Sequence, residues 1–235
     1  MLGNNFLALA VTFVLALLWL RLNDYLAHRG WISSHLSRKI IHAGTGPIFV
    51  LCWLFFTNQP SSRWLAALVP FAITVQFFLV GIGVIRDQAA VDGMSRSGDP
   101  REILKGPLFY GIVFVILTIV YWYDSPIGIT ALMMMCGGDG LADVIGNRVA
   151  SKSLPWSPRK TWSGTAAMFF ASWVFSFAIL SVFIIVGNLP QTLSSLIVPL
   201  TVMALLATLV ESLPMKDIDN LTVPLVCIAC GHLFF

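Results

Sequence analysis

Charge is what this sequence has least of. Asp, Glu, Lys and Arg make up only 11% of its 235 residues, against about 25% in an ordinary soluble domain. A water-facing enzyme cannot cover its surface with so few charges. Cysteine is also sparse, and the four present sit in apolar surroundings. Cys227 and Cys230 make a CxxC, but inside a hydrophobic run, so small core-facing side chains explain them better than a redox or metal centre. Low-complexity segments, long linkers and internal repeats are absent, which argues for one membrane-embedded domain over 1–235. The net charge of +3 gives no reason to expect nucleic acid. The Walker A pattern G-x-x-x-x-G-K-[ST] is missing as well.

Apolar residues are what the chain has in abundance. They account for 57% of it, with a mean hydropathy of +0.86. Membrane helices need roughly 17–25 such residues. Runs at 5–20, 40–56, 64–85, 107–123, 126–145, 162–186 and 192–213 meet that need, and 218–235 is a weaker eighth. The expected fold is all-α, a polytopic integral membrane bundle of about seven helices, six to eight. The first run lacks a cleavage-site pattern and reads as a retained anchor. Basic residues set the orientation. Arg21, Arg29, Arg38 and Lys39 follow the first run, and Arg86, Arg96, Arg101 and Lys105 the third. Arg148, Lys152, Arg159 and Lys160 follow the fifth, and Lys216 the seventh; Arg63 alone falls on the other side. The positive-inside rule makes the crowded side cytoplasmic, or its organellar equivalent, with the N-terminus outside.

The segment GGDGLADVIGNR, 137–148, breaks an apolar run with two acids. Asp139 and Asp143 are one helical turn apart on one face, and Asn147 extends the stripe. A charge at a membrane helix centre costs roughly 2.5–3.5 kcal/mol on insertion scales. Two acids without an evident base between them call for a cation. Mg²⁺ is the expected one, since it is commonly held by one or two carboxylates plus substrate phosphates. The surrounding glycines allow close approach of backbone or ligand. The competing reading pairs Asp139 with a base on another helix, where it merely fixes packing.

Other polar clusters fall on the same membrane side. RKIIHAGTG, 38–46, brings Arg38, Lys39 and His42 into the second run, where they can hold phosphate oxygens. In SRSGDPREILKGPLFYG, 95–111, Asp99 and Pro100 can start a helix that carries Arg101, Glu102 and Lys105. SPRKTWSGT, 157–165, sets Lys160, Thr161 and Gly164 before a span, where helix N-terminal N–H groups can bind an anion. ESLPMKDIDN, 211–220, places Glu211 at the end of an apolar helix, followed by Asp217, Asp219 and Asn220. Each cluster alone can be topogenic charge or a solvated loop. Their common side argues for a single site.

Taken in order, these motifs resemble the CTP-dependent polyprenol kinase family, and most its phytol kinase branch. The resemblance runs from about Arg38 to Pro224. It implies transfer of the γ-phosphoryl of CTP to a long-chain isoprenoid alcohol. In the phytol branch the product is phytyl phosphate, which feeds tocopherol synthesis and phytol salvage. On this reading Asp139 and Asp143 hold Mg²⁺. Lys160, Thr161 and the Gly164 backbone cradle phosphate, while Arg38, Lys39, His42, Arg101 and Lys105 neutralise the rest. Glu102 and Glu211 are the candidate bases. The alcohol's tail lies among the spans, and the hydroxyl meets CTP at the cytoplasmic or stromal face of a cyanobacterial or plastid-type membrane. Rival readings are a membrane cytidylyltransferase or CDP-alcohol phosphotransferase, and a transporter. The second usually carries a longer aspartate series, and the third places charge near the midplane, often in inverted repeats.

Overall fold

The computed structural model describes residues 2–95, 97–215 and 218–235. Arg96, Lys216 and Asp217, which the sequence assigns to the basic face and the acidic loop, lie outside the described residues. Helix α1 spans Asn5–His28, α2 Ser34–Cys52, α3 Ser62–Gly81, α4 Gln88–Met94 and α5 Gly106–Val120. Then come α6, Pro126–Met133, and α7, Asp139–Arg148, joined by a π-helical turn at Met134–Gly138. A hairpin of β1, Ser153–Leu154, and β2, Ser157–Thr161, precedes α8, Trp162–Ile185. Helices α9, Ile197–Glu211, and α10, Asp219–Phe234, end the chain.

The all-α membrane bundle is therefore present, with one small hairpin added. Six helical segments are long and apolar enough to cross a membrane: α1, α3, the segment through α5, α6–α7, α8 and the segment through α9. Helix α2 falls short because its first turns carry His35, Ser37, Arg38, Lys39 and His42. Helix α10 has only 16 residues. Both still pack within the bundle. The segment α6–α7 is its centre, with 78% of its apolar window buried, whereas α1 has 11% and lies at the periphery. Leu7, Val14, Leu18, Phe71, Phe170, Val174 and Leu209 are exposed on outward faces, as lipid-facing residues must be. Exposed Trp31, Trp64 and Trp162 sit at or near helix ends, and exposed Trp156 in the β1–β2 turn, as residues of the interfacial aromatic belts do.

Local chemistry fixes the ends. Asn4 caps α1, its Oδ1 accepting from Phe6 N at 2.9 Å and Leu7 N at 3.3 Å. Ser33 caps α2 through Leu36 N, and Asp99 caps a short 3₁₀ turn, Pro100–Leu104, as the Asp-Pro pair predicts. At the opposite end of α2, Asn5 Oδ1 accepts from Thr57 N and Thr57 Oγ1, and Asn5 Nδ2 donates to Ser62 Oγ at 3.0 Å. That network ties the start of α1 to the α2–α3 connection. It satisfies polar groups that lipid would leave stranded.

Candidate active site

The separate polar clusters of the sequence meet around one cavity of about 1180 Å³. Its centre is the face that α2 turns toward α7. His35, Lys39 and His42 follow i, i+4, i+7 spacing and so form a single stripe. Asp139 and Asp143 form the matching stripe on α7, and the two zip together antiparallel. Asp143 Oδ2 lies 3.2 Å from His35 Nε2 and 3.5 Å from Lys39 Nζ. Asp139 Oδ2 lies 3.3 Å from His42 Nε2. Gly140 makes the approach possible, since a Cβ there would sit 2.8 Å from Ala43 Cβ.

The acids are thus not without bases, as the isolated motif implies; α2 supplies them. No spacing rule within 137–148 can show this, because the partners lie about a hundred residues upstream. Asp143 Oδ2 is buried and has no hydrogen bond of good geometry despite its two basic neighbours. It therefore keeps acceptor capacity for a ligand. His42 is held on its other side by Tyr110, whose ring lies 4.5 Å from the imidazole. The Tyr110 hydroxyl donates to the His42 carbonyl at 2.8 Å and also contacts Cys136 Sγ at 3.1 Å.

Lys160, on β2, forms an ion pair with Glu211 at the end of α9. Burial works against the Lys160 ammonium, but the Glu211 carboxylate beside it prevails and raises its pKa above the ordinary lysine value. Thr161 caps α8, with Oγ1 accepting from Gly164 N at 3.2 Å. Trp162 N donates to Lys152 O, and Ser163 N donates to Ser151 Oγ. The first N–H groups of α8 are therefore occupied by the hairpin that folds back on them. This differs from the expected backbone cradle at Thr161 and Gly164: an anion here must be met by side chains. Both residues still line the cavity. Gly164 also serves packing, because a Cβ would meet Ala142 O at 2.9 Å.

The 95–105 segment closes a third side. Arg38 Nη1 donates to Ser95 O at 2.9 Å, and Glu102 Oε2 accepts from Ser95 Oγ and Ser97 N. Glu102 thereby braces its own loop. Lys105 lines the cavity, whereas Arg101 is exposed and stands away from it. The sequence reading of Arg101 as a phosphate ligand has no support in its position. It missed His35 and Tyr110. The i, i+4, i+7 stripe holds a signal for His35, but an aromatic in an apolar run holds none for Tyr110. Asn220, noted only as part of an acidic loop, is buried and ties α10 to α5 by donating to Gly106 O at 3.1 Å.

From this polar end the cavity continues as an apolar arm between α1, α2, α3 and α5, walled by Trp19, Phe49, Ile73, Phe77 and Phe114. A charged, interface-level basin opening into an apolar arm defines a membrane enzyme acting on an amphiphile with a polar co-substrate. Comparison with known proteins gives the family. The chain is 36% identical over 214 residues to phytol kinase 1, chloroplastic, of Arabidopsis thaliana, covering 90% of this chain and 70% of that one. It is 36% identical over 230 residues to the farnesol kinase, chloroplastic, of the same plant, covering 97% and 75%. A Triticum aestivum protein named "Probable phytol kinase, chloroplastic" is 41% identical over 214 residues, covering 90% and 71%. The chain belongs to this family of phytol and farnesol kinases, and it is a membrane kinase. No family model matches it, and no solved structure does.

Proposed function

We propose that this protein transfers the γ-phosphoryl of CTP to phytol, giving phytyl phosphate for tocopherol synthesis and phytol salvage. The reaction occurs at the cytoplasmic or stromal face of its membrane. The carrying observation is the single cavity with a charged end and an apolar arm. An isoprenoid alcohol is nearly insoluble in water, so its hydroxyl must meet the nucleotide at the interface while its tail stays in apolar surroundings.

Phosphoryl transfer needs positioning and charge stabilisation more than covalent help from the protein. Lys39, His42 and Lys160 face the basin and meet the triphosphate; Arg38 and Lys105 add positive charge at its rim. Among the described residues no three His, Cys, Asp or Glu side chains converge as a preformed metal cage. The two carboxylates of α7, one with an unsatisfied buried oxygen, fit an ion that arrives with the nucleotide, as Mg²⁺ typically does. Asp139 and Asp143 would hold it. Bound there, Mg²⁺ neutralises charge on the triphosphate. The alcohol oxygen forms its bond to the γ-phosphorus as the bond to the β-γ bridging oxygen breaks and CDP leaves. The hydroxyl proton needs an acceptor. Glu102 is committed to Ser95 and Ser97. Glu211 is paired with Lys160, and a triphosphate that draws Lys160 toward itself frees the Glu211 carboxylate for that proton.

The test is an assay of purified protein with CTP labelled at the γ-phosphate and a panel of phytol, geranylgeraniol, farnesol, dolichol and diacylglycerol. Label should enter phytol and follow Mg²⁺ concentration. Absence of label from every isoprenoid alcohol overturns the reading. Transfer of a cytidylyl group from α-labelled CTP to a phospholipid would establish the cytidylyltransferase alternative instead.

A further inference from the structure

We propose that a layer formed by Thr12, Cys52 and Val69 closes the apolar arm and sets the longest isoprenoid tail that the enzyme accepts. The inference rests on the reading that the arm holds the acceptor's tail. It goes further by naming where the tail must stop.

Three helices agree on that layer. On α1 the residues facing the cavity are Thr12, Ala16, Trp19 and Leu20, and Thr12 is the farthest from the charged end. On α2 the lining stripe runs from His35 to Cys52, and on α3 from Phe77 to Val69. Beyond the layer the interior is filled. Ala8, Trp53 and Phe56 are buried, and Trp122 packs on both aromatics with ring centroids 5.1 and 6.0 Å away. The layer is also held in place. Thr12 Oγ1 donates to Ala8 O at 2.7 Å, and Cys52 is buried. A helix rises about 1.5 Å per residue, so the ten residues from His42 to Cys52 give an arm about 15 Å deep, in which a phytyl tail lies bent rather than fully extended.

The occupant follows from continuity. The arm joins the basin proposed for phosphoryl transfer, so a tail lying in it carries its own hydroxyl into that basin. Its walls are chiefly aliphatic and aromatic, with Thr12, Thr45 and Cys52 among them and no charged side chain between His42 and Cys52 on α2. A flexible hydrocarbon matches that lining. A separate shallow groove between α1 and α3, lined by Phe6, Phe13, Leu68 and Phe71, lies on the lipid side. A tail longer than the arm would have to part α1 from α3 to reach it.

The test compares kcat/KM for phytol with that for farnesol, one isoprene unit shorter, in reconstituted full-length protein. Cys52→Phe and Val69→Phe should each lower the phytol-to-farnesol ratio by about 10- to 200-fold, the discrimination that small misfits give in apolar pockets. Geranylgeraniol, which matches phytol in length but not in saturation, should fall with phytol. Cys52→Ala, which only removes bulk, should raise the ratio and keeps the test decisive if a Phe variant does not fold. Leu68→Phe, on the lipid side, should leave the ratio at the wild-type value. Unchanged ratios in the Cys52 and Val69 variants overturn the stop, as does an equal shift in Leu68→Phe. Wild-type protein that phosphorylates no isoprenoid alcohol overturns the functional reading itself, whatever the ratios.

Discussion

Lys160 and Glu211, 51 positions apart in the chain, form an ion pair in the lining of the cavity, with Glu211 buried at the end of α9. Removing one partner leaves the other charge buried and uncompensated, at a typical cost of about 3–5 kcal/mol, whereas replacing both by apolar groups is often neutral. Lys160→Ala should therefore lower the thermal midpoint in detergent, and Lys160→Met/Glu211→Leu should recover it. Activity should not recover. Hydrogen bonds to charged groups are worth roughly 1.5–3 kcal/mol, so loss of Lys160 should reduce kcat/KM for the nucleotide by about 10- to 150-fold. Lys152→Ala, on an exposed side chain of the same hairpin region, should cost little. Equal small effects of Lys160→Ala and Lys152→Ala would falsify the nucleotide role.

The same pair predicts a pH dependence. The pKa of Lys160 is raised in the folded state: burial opposes its charge, and Glu211 more than offsets burial. A base raised on folding contributes stability that is complete below its unfolded value, about 10.4. That contribution is lost as pH rises through the higher folded value. The wild-type midpoint should lose this contribution only above the ordinary lysine range. The Lys160→Met/Glu211→Leu protein should lack that alkaline step. Identical alkaline profiles for the two proteins would show that the pair adds nothing to stability.

How the sequence conveyed the site differs from residue to residue. The helices were legible because lipid demands long apolar runs and internally satisfied backbones. The shared side of the charges was legible through the basic residues. Pairing between α2 and α7 was not, because antiparallel register depends on glycine-mediated contact between Gly140 and Ala43. The spent N–H groups of α8 were hidden for a related reason. A two-residue strand, Ser153–Leu154, folds back on β2, and nothing in SPRKTWSGT announces it. Arg101 lies in a dense charge cluster, yet on the 3₁₀ turn its side chain is exposed and does not line the cavity.

Convergence of all five polar segments on one cavity requires that they share a membrane side. Ser97 and Ser153 are exposed in the connections at that side, and Ser61 is exposed in the connection between α2 and α3. Single cysteines at these positions, on a cysteine-free background, should react with an impermeant thiol reagent in two classes. Ser97→Cys and Ser153→Cys should label together from one face of sealed vesicles, and Ser61→Cys from the other. Labelling of the first two from opposite faces would separate segments that the structure brings together.

Asp139 and Asp143 occupy successive turns of α7 but different surroundings. The Asp139 side chain is about half as exposed as that of Asp143, 15% against 34%. It faces His42, itself wedged by Tyr110, so it is held rigidly near the centre. Asp143 faces His35 and Lys39 nearer the open end and retains a buried oxygen without a hydrogen bond. If both serve a metal that enters with the nucleotide, neutralising either should raise the Mg²⁺ concentration needed for half-maximal transfer. Asp143→Asn should then be partly rescued by high Mg²⁺, because its open oxygen is the replaceable part of the site. Asp139→Asn should lose kcat at all Mg²⁺ concentrations, because it also removes the anchor of His42. Binding of a fluorescent CTP analogue, titrated with and without Mg²⁺, separates the two effects from turnover. The wild type should bind more tightly with the metal present, and both Asn variants should lose most of that difference. A full Mg²⁺ enhancement retained in both variants would leave the two carboxylates as partners of α2 alone and remove them from the metal site.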